Sequence, residues 1–209
     1  MKNINIFRKG ILLMILLILI FSGCHSKTVS TSNEFNLTNE EIKELKIKAN
    51  QGGINAAEKL ANYYIFVDYN LEEVVKYLRI VAETGDTSAQ YNLAYHLLIP
   101  SNDSIMRKEG VYWLRISANS GEQYAQKYLA NLYETGDIVE KNYYNAKYWY
   151  EKAAISGSSY SVEKLAEFYL EGIGCDRNKI KAYAILSFVQ QSIEKTSAHY
   201  KEIENKKKK

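Results

Sequence analysis

The sequence predicts an all-α fold, a solenoid of antiparallel helix pairs, and three observations carry that prediction. The pattern A-x-x-G recurs at Ala49–Gly52, Ala82–Gly85, Ala118–Gly121 and Ala154–Gly157, with successive glycines 33, 36 and 36 residues apart. After each glycine a small residue, a leucine and a large residue follow at four-residue steps: Ala56, Leu60, Tyr64; Ala89, Leu93, Leu97; Ala125, Leu129, Tyr133; Ser161, Leu165, Tyr169. Steps of four put these side chains on one stripe of a helix. The 209 residues include a single proline, Pro100, which suits a helical chain because proline breaks helix interiors.

The first helix of each unit, helix A, is the one that carries this stripe, and each of its leucines is followed by alanine: Ala61, Ala94, Ala130 and Ala166. A second stripe precedes the glycines. Tyr77, Trp113 and Trp149 stand eight residues before Gly85, Gly121 and Gly157, and Ile185 takes the matching place in the last unit. This is helix B. Glycine directly after a helix is the expected cap, since it enters the left-handed conformation without a Cβ clash. One hairpin of two amphipathic helices cannot bury both faces. Stacked hairpins bury a continuous core, with alanine where backbones approach and aromatic rings in the wider gaps.

Taken together these residues resemble the Sel-one-like repeat (SLR) family, relatives of tetratricopeptide repeats. The third unit carries the likeness best, with Ala125, Leu129, Tyr133 and Gly136, then Tyr143, Ala146, Trp149, Tyr150, Lys152, Ala153, Ala154 and Gly157. The fourth adds Tyr169, Gly172, Gly174 and Ala182. The resemblance spans roughly residues 50–192 and implies a right-handed α-solenoid of four repeats over 53–192. The first unit is three residues short, and the second replaces the loop glycines with Ile99-Pro100-Ser101-Asn102-Asp103-Ser104. The family's usual glycine after the leucine is alanine throughout. These departures bear on loop geometry rather than on fold.

The flanks have their own logic. Residues 1–23 read as a signal peptide: Lys2, Arg8 and Lys9 are followed by an uncharged apolar run from Gly10 to Phe21. Twelve residues are too few to span ~30 Å of hydrocarbon. Phe21-Ser22-Gly23-Cys24 resembles the lipobox of bacterial lipoproteins, which implies acylation (palmitate) at Cys24; the family's usual leucine is phenylalanine here. Residues 24–37 then form a polar, flexible tether. Thr38 and Glu41 make a capping box, with Leu37 and Ile42 as a hydrophobic staple, so 38–52 is an N-terminal capping helix. Residues 193–209 read as a C-terminal capping helix ending in the basic tail Lys206–Lys209.

Charge and composition exclude several function classes. The first 23 residues hold three of the 27 basic residues and none of the 24 acidic ones, so the processed chain carries 24 of each. A neutral body argues against nucleic acid, whose binding rests on phosphate neutralisation. With Cys24 acylated only Cys175 remains, so no intrachain disulfide is expected and the fold stands on packing. No metal-binding or nucleophile motif is present, so no cofactor, metal or catalytic residue is expected. The three histidines are His25 in the tether, His199 in the tail, and His96, which takes a helix A place held elsewhere by Tyr63, Leu132 and Phe168 and reads as a packing residue. Cys175 reads as a small buried hydrophobe. The carboxylate pairs Glu40-Glu41 and Glu72-Glu73 lie in first helical turns, where they complement the dipole, and no pair has a reason for shifted acidity.

What remains is surface. The family resemblance implies that the A helices line the concave face. Two and six residues after each leading small residue, the predicted outward row is Glu58 and Asn62, Tyr91 and Tyr95, Lys127 and Asn131, Glu163 and Glu167. Tyrosine is a favoured interface residue, large and rigid with a polar tip. Tyr124 and Tyr160 are expected to pack between units instead. The expected function is a membrane-tethered, non-enzymatic protein-binding scaffold of the bacterial envelope, with His25 after the lipid cysteine pointing to the outer membrane. Resemblance to small SLR lipoproteins implies an immunity protein against a periplasm-acting secreted phospholipase effector or toxin. An assembly or signalling adaptor is the alternative, and an envelope hydrolase the alternative of another class.

Overall fold

The computed structural model describes residues 35–99 and 103–187. The expected leader, Cys24, nearly all of the tether, His25, His199 and the 193–209 helix lie outside these residues. Leu37–Lys209 forms a compact unit by itself. Its elements are α1 (Asn39–Asn50), α2 (Ile54–Phe66), α3 (Leu71–Ala82), α4 (Thr87–Leu98), α5 (Ser104–Asn119), α6 (Gln123–Thr135), α7 (Tyr143–Ile155), α8 (Ser159–Glu171) and a helical segment over 179–187, α9. No strand occurs among the described residues. From α1 to α8 each helix packs on the next, and Ile185 of α9 packs on the cluster of Leu165 and Phe168 of α8, so the chain is a helical repeat solenoid with α2, α4, α6 and α8 in the A places and α1, α3, α5, α7 and α9 in the B places.

Helix starts follow from short polar side chains. At α1 the Glu41 amide donates to Thr38 Oγ1 at 3.2 Å and the Thr38 amide donates to Glu41 Oε2 at 2.7 Å, a complete capping box. Asn70, Asn142 and Asn178 cap α3, α7 and α9, each side chain accepting the amide three residues on. Asp103 caps α5 through the amide of Ile105. Such caps satisfy first-turn donors that have no intrahelical partner. The A-x-x-G glycines do what their position predicts: Gly52, Gly85, Gly121 and Gly157 have φ of +86°, +95°, +97° and +98°.

The predicted stripes are the core. Leu60, Leu93 and Leu129 are fully buried, Leu165 is nearly so, and all four following alanines are buried. On the B helices Tyr77 is fully buried, while Trp113, Trp149 and Ile185 are half-buried against the same clusters. Alanine and glycine set the closest approaches. A Cβ on Gly110 of α5 would sit 2.7 Å from Leu98 Cδ2 of α4; the equivalent places on α7 and α9 are the buried Ala146 and Ala182.

Gly174 combines two constraints. Its φ is +63°, and a Cβ there would lie 2.6 Å from the Tyr143 carbonyl oxygen at the start of α7. Gly157 has a positive φ but open space, with Gln123 Nε2 at 3.9 Å the nearest atom. Gly174→Ala is therefore expected to cost roughly 2–3 kcal/mol and Gly157→Ala about 1 kcal/mol. Urea denaturation of the two variants checks the order, and equal losses would remove the close-approach argument.

Polar ties repeat along with the core. Gln90 Nε2 donates to the Ala82 carbonyl at 3.2 Å, and Gln126 Nε2 to the Ala118 carbonyl at 3.1 Å. Each buried glutamine thus ties the start of an A helix to the alanine that closes the preceding B helix. In α2 and α8 the same place is apolar, Ala57 and Val162. Between successive B helices, Lys46 of α1 meets Glu73 of α3 at 2.7 Å, and Arg79 of α3 meets Glu109 of α5 at 2.9 Å. Between A helices, Lys164 of α8 meets Glu134 of α6 at 2.8 Å. These pairs show two layers, A on A and B on B.

Candidate functional site

The A layer sorts the predicted row by exposure. Glu58, Tyr95, Glu163 and Glu167 are exposed, whereas Asn62, Tyr91, Lys127 and Asn131 are half-buried. For Tyr91 and Lys127 the physical reason is neighbouring aromatics. Tyr91 lies stacked on Tyr124 of the next unit at 5.9 Å and tilted against Tyr95 at 6.2 Å. Lys127 sits over the Tyr124 ring at 5.3 Å and near the Tyr160 ring at 6.0 Å. Glu167 is held by Lys164 at 3.2 Å. Glu58 and Glu163 are the exposed carboxylates at the two ends of the row.

Tyr124 and Tyr160 pack between units as expected, Tyr124 on Tyr91 and Tyr160 against Tyr150 of α7 at 6.3 Å. Both are also exposed, by 55% and 43%. Both belong to the surface row. The row is continuous: Tyr69 in the α2–α3 loop meets His96 at 6.2 Å, His96 meets Tyr95 at 5.6 Å, and Tyr95 reaches Tyr91 and, at 6.3 Å, Tyr128. Tyr128 was not singled out from sequence. The signal that finds it is spacing: Tyr91 with Tyr124, Tyr95 with Tyr128 and Lys127 with Tyr160 are each 33 residues apart. These three ring contacts therefore lie about one helical turn before the equivalent place, 36 residues on.

Acidities are shifted in places the sequence did not flag. Burial, then the proton it shares with Glu134, pushes the Tyr150 phenol far up; its hydroxyl donates to Glu134 Oε2. The same carboxylate, hydrogen-bonded to Lys164 Nζ, raises that ammonium above its ordinary range. In the first unit, burial and the nearby Glu73 carboxylate push Tyr77 up to about 12, and Glu73 holds Lys46 raised. So Glu73 complements the start of α3, as expected, and also pairs across units. These half-buried cations beside carboxylates lock neighbouring helices together.

His96 is the half-buried packing residue expected, and burial lowers its pKa from 6.5. The unfolded chain then binds a proton before the folded one does, so stability is full above pH 6.5 and falls as pH drops through that value toward the lowered pKa. Melting curves between pH 5 and 7 are expected to show this slope. His96→Leu, which installs the residue of the equivalent place in α6, is expected to flatten it; an unchanged slope would assign the loss to other groups.

Cys175 is half-buried rather than buried, because it sits in the α8–α9 turn with its thiol 3.7 Å from the Phe168 carbonyl. Among the described residues no group of three or more His, Cys, Asp and Glu side chains is placed to hold a metal. Among them too, no helix is long and apolar enough to cross a membrane.

Comparison with known proteins agrees with this architecture. Residues 87–122, 123–158 and 159–187 each match the Sel1 repeat. The first hairpin, α2 and α3, lies outside those matches yet has the same stripe and glycine turn. The crystal structure of c5321, a protective antigen present in uropathogenic Escherichia coli strains displaying an SLR fold, is similar with a TM-score of 0.60 and 30% identity, covering 70% of this chain and 32% of that one. A Sel1 repeat protein from Oxalobacter formigenes is 31% identical, covering 52% of this chain and 81% of that one, with a TM-score of 0.48. The uncharacterized protein YibG of Escherichia coli (strain K12) is 31% identical over 68 residues, 32% of this chain and 44% of its own length. The chain thus spans less than half of YibG and about a third of the c5321 chain. Sel1 repeats are protein-interaction scaffolds. With three contiguous repeats matched, and a fourth hairpin of the same build in front of them, the chain belongs to the Sel1 repeat family.

Proposed function

We propose that this protein is a lipid-tethered, non-enzymatic binder of the bacterial envelope that holds a partner protein on the aromatic row of its A layer. The observation that carries the reading is the row itself: Tyr124, Tyr91, Tyr95 and Tyr128 joined in that order by ring contacts across two units, flanked by His96 and Lys127. Rigid, part-exposed tyrosines offer large contact area at low entropic cost. The tether reading rests on the leader and on Cys24, and His25 favours the outer membrane, facing the periplasm. The narrower form is an immunity protein that blocks a periplasm-acting secreted phospholipase effector; small size, one binding face and a membrane tether support it.

Affinity capture of the tagged protein from its native envelope, with mass spectrometry, tests this. One stoichiometric secreted effector supports the immunity form. Several envelope components replace it with an assembly or signalling adaptor, and recovery of no protein overturns the binding reading. Labelled palmitate should enter the wild-type chain and not Cys24→Ser; equal labelling would remove the tether.

A further inference from the structure

The B layer carries a second surface that the aromatic row does not explain. On α5, Lys108, Tyr112 and Arg115 recur at steps of four and three and so share a stripe. One unit later on α7, Tyr144 and Tyr148 take the places of Lys108 and Tyr112, the place of Arg115 is Glu151, and Lys152 lies one turn after Tyr148 on the same stripe. All six are exposed, Tyr112 by 59% and Tyr144 by 69%. Tyr112 and Tyr148 rest edge-on against Trp113 and Trp149 at 5.3 and 5.2 Å, and those indoles pack on one core cluster. The two phenols are thus presented outward from a fixed base.

The carboxylates of these helices are engaged elsewhere. Each helix has one. Glu109 receives Arg79 of α3 at 3.0 and 3.1 Å. Glu151 pairs with Lys147 at 2.9 Å and accepts the Tyr169 hydroxyl at 3.3 Å. Lys108, Arg115 and Lys152 are left as positive charge around the tyrosines, with Arg115 also donating to the Tyr133 hydroxyl at 3.1 Å. Lys152 lies over the Tyr148 ring at 5.5 Å, a flexible stem with its ammonium at the surface. The A layer has the other sign at this end: α8 carries Glu163, Glu167 and Glu171 against Lys164 alone.

Basic side chains beside exposed tyrosines are complementary to one chemistry in particular. Phosphate headgroups attract the cations, and a phenol settles at the headgroup level with its ring inward and its hydroxyl wet. We propose that this face of α5 and α7 lies on the anionic headgroups of a phospholipid bilayer. Contact here turns the acidic α8 and the tyrosine row away from the lipid, leaving the row open to a partner protein.

The unit Leu37–Lys209, which has its own core and contains neither the leader nor Cys24, is the protein to use, with its helical content checked first. Co-sedimentation with phosphatidylcholine vesicles is compared with vesicles in which about a third of the lipid is phosphatidylglycerol. Binding to the anionic vesicles alone is expected, falling as salt is raised. Each basic residue neutralised should weaken it about fivefold, so the triple variant Lys108→Gln, Arg115→Gln, Lys152→Gln should lose roughly a hundredfold. Tyr112→Ser with Tyr148→Ser should weaken it further while the variant keeps its helical content at the assay temperature. Equal binding to both vesicles, no binding to either, or an unaffected triple variant overturns the proposal. Partner capture through the A layer is read separately, so either result stands without the other.

Discussion

Leu129→Ala is expected to destabilise the solenoid by about 2–5 kcal/mol. Leu129 is fully buried at the centre of a cluster that joins Ala94 and Leu98 of α4, Leu114 and Ala118 of α5, and Ala125 and Leu132 of its own helix. Truncation leaves a cavity lined by three helices of two different units. The surrounding alanines are too short to collapse into it, so the cost falls toward the upper part of that range. In a solenoid each unit is stabilised mainly by its neighbours, and damage at this interface weakens both sides. For a unit of this size, about 2–4 °C of melting temperature per kcal/mol implies a fall of roughly 5–20 °C. Calorimetry measures it, with the exposed Ile155→Ala as the control that should shift by less than about 2 °C. A loss at Leu129 no larger than that of the control would mean that the stripe is not the core.

Tyr91→Ala with Tyr95→Ala is expected to weaken partner binding by roughly 30–1000-fold, the range for two central aromatic anchors. Tyr95 is 42% exposed and touches Tyr91, His96 and Tyr128, so its removal opens the middle of the row. Tyr91 is half-buried and stacks on Tyr124, so part of its loss appears as stability, about 1 kcal/mol. Calorimetric titration against the captured partner separates the two. Tyr112→Ala on the B layer should leave partner affinity unchanged. An equal loss at Tyr112 would move the binding face, and full affinity in the double variant would dismiss the row.

Much of the architecture was legible because it rests on periodicity. Four-residue steps identify an A stripe in any one unit, and the 33- to 36-residue recurrence states it four times. The caps were legible for the same local reason: Thr38 with Glu41, and glycine after each B helix, act over three or four residues. Gly110, Gln90 and Gln126 were not, because their roles depend on what the neighbouring helix brings close. Cys175 was misplaced since its burial depends on how the α8–α9 turn lies, and a turn has no period to read.

The sequence by itself determined the helix pairs, the leucine–alanine core and the candidate outward residues, because each follows from spacing within one chain segment. Only the tertiary structure decided which of those residues meet. The stagger between units is a property of helix packing, and it sets the ring contacts of the A layer at 33 residues where equivalence alone would put them at 36. That offset brings Tyr124 onto Tyr91 and Tyr128 onto Tyr95, and lodges Lys127 between two rings. It turns scattered tyrosines into one surface, a result that no single repeat contains.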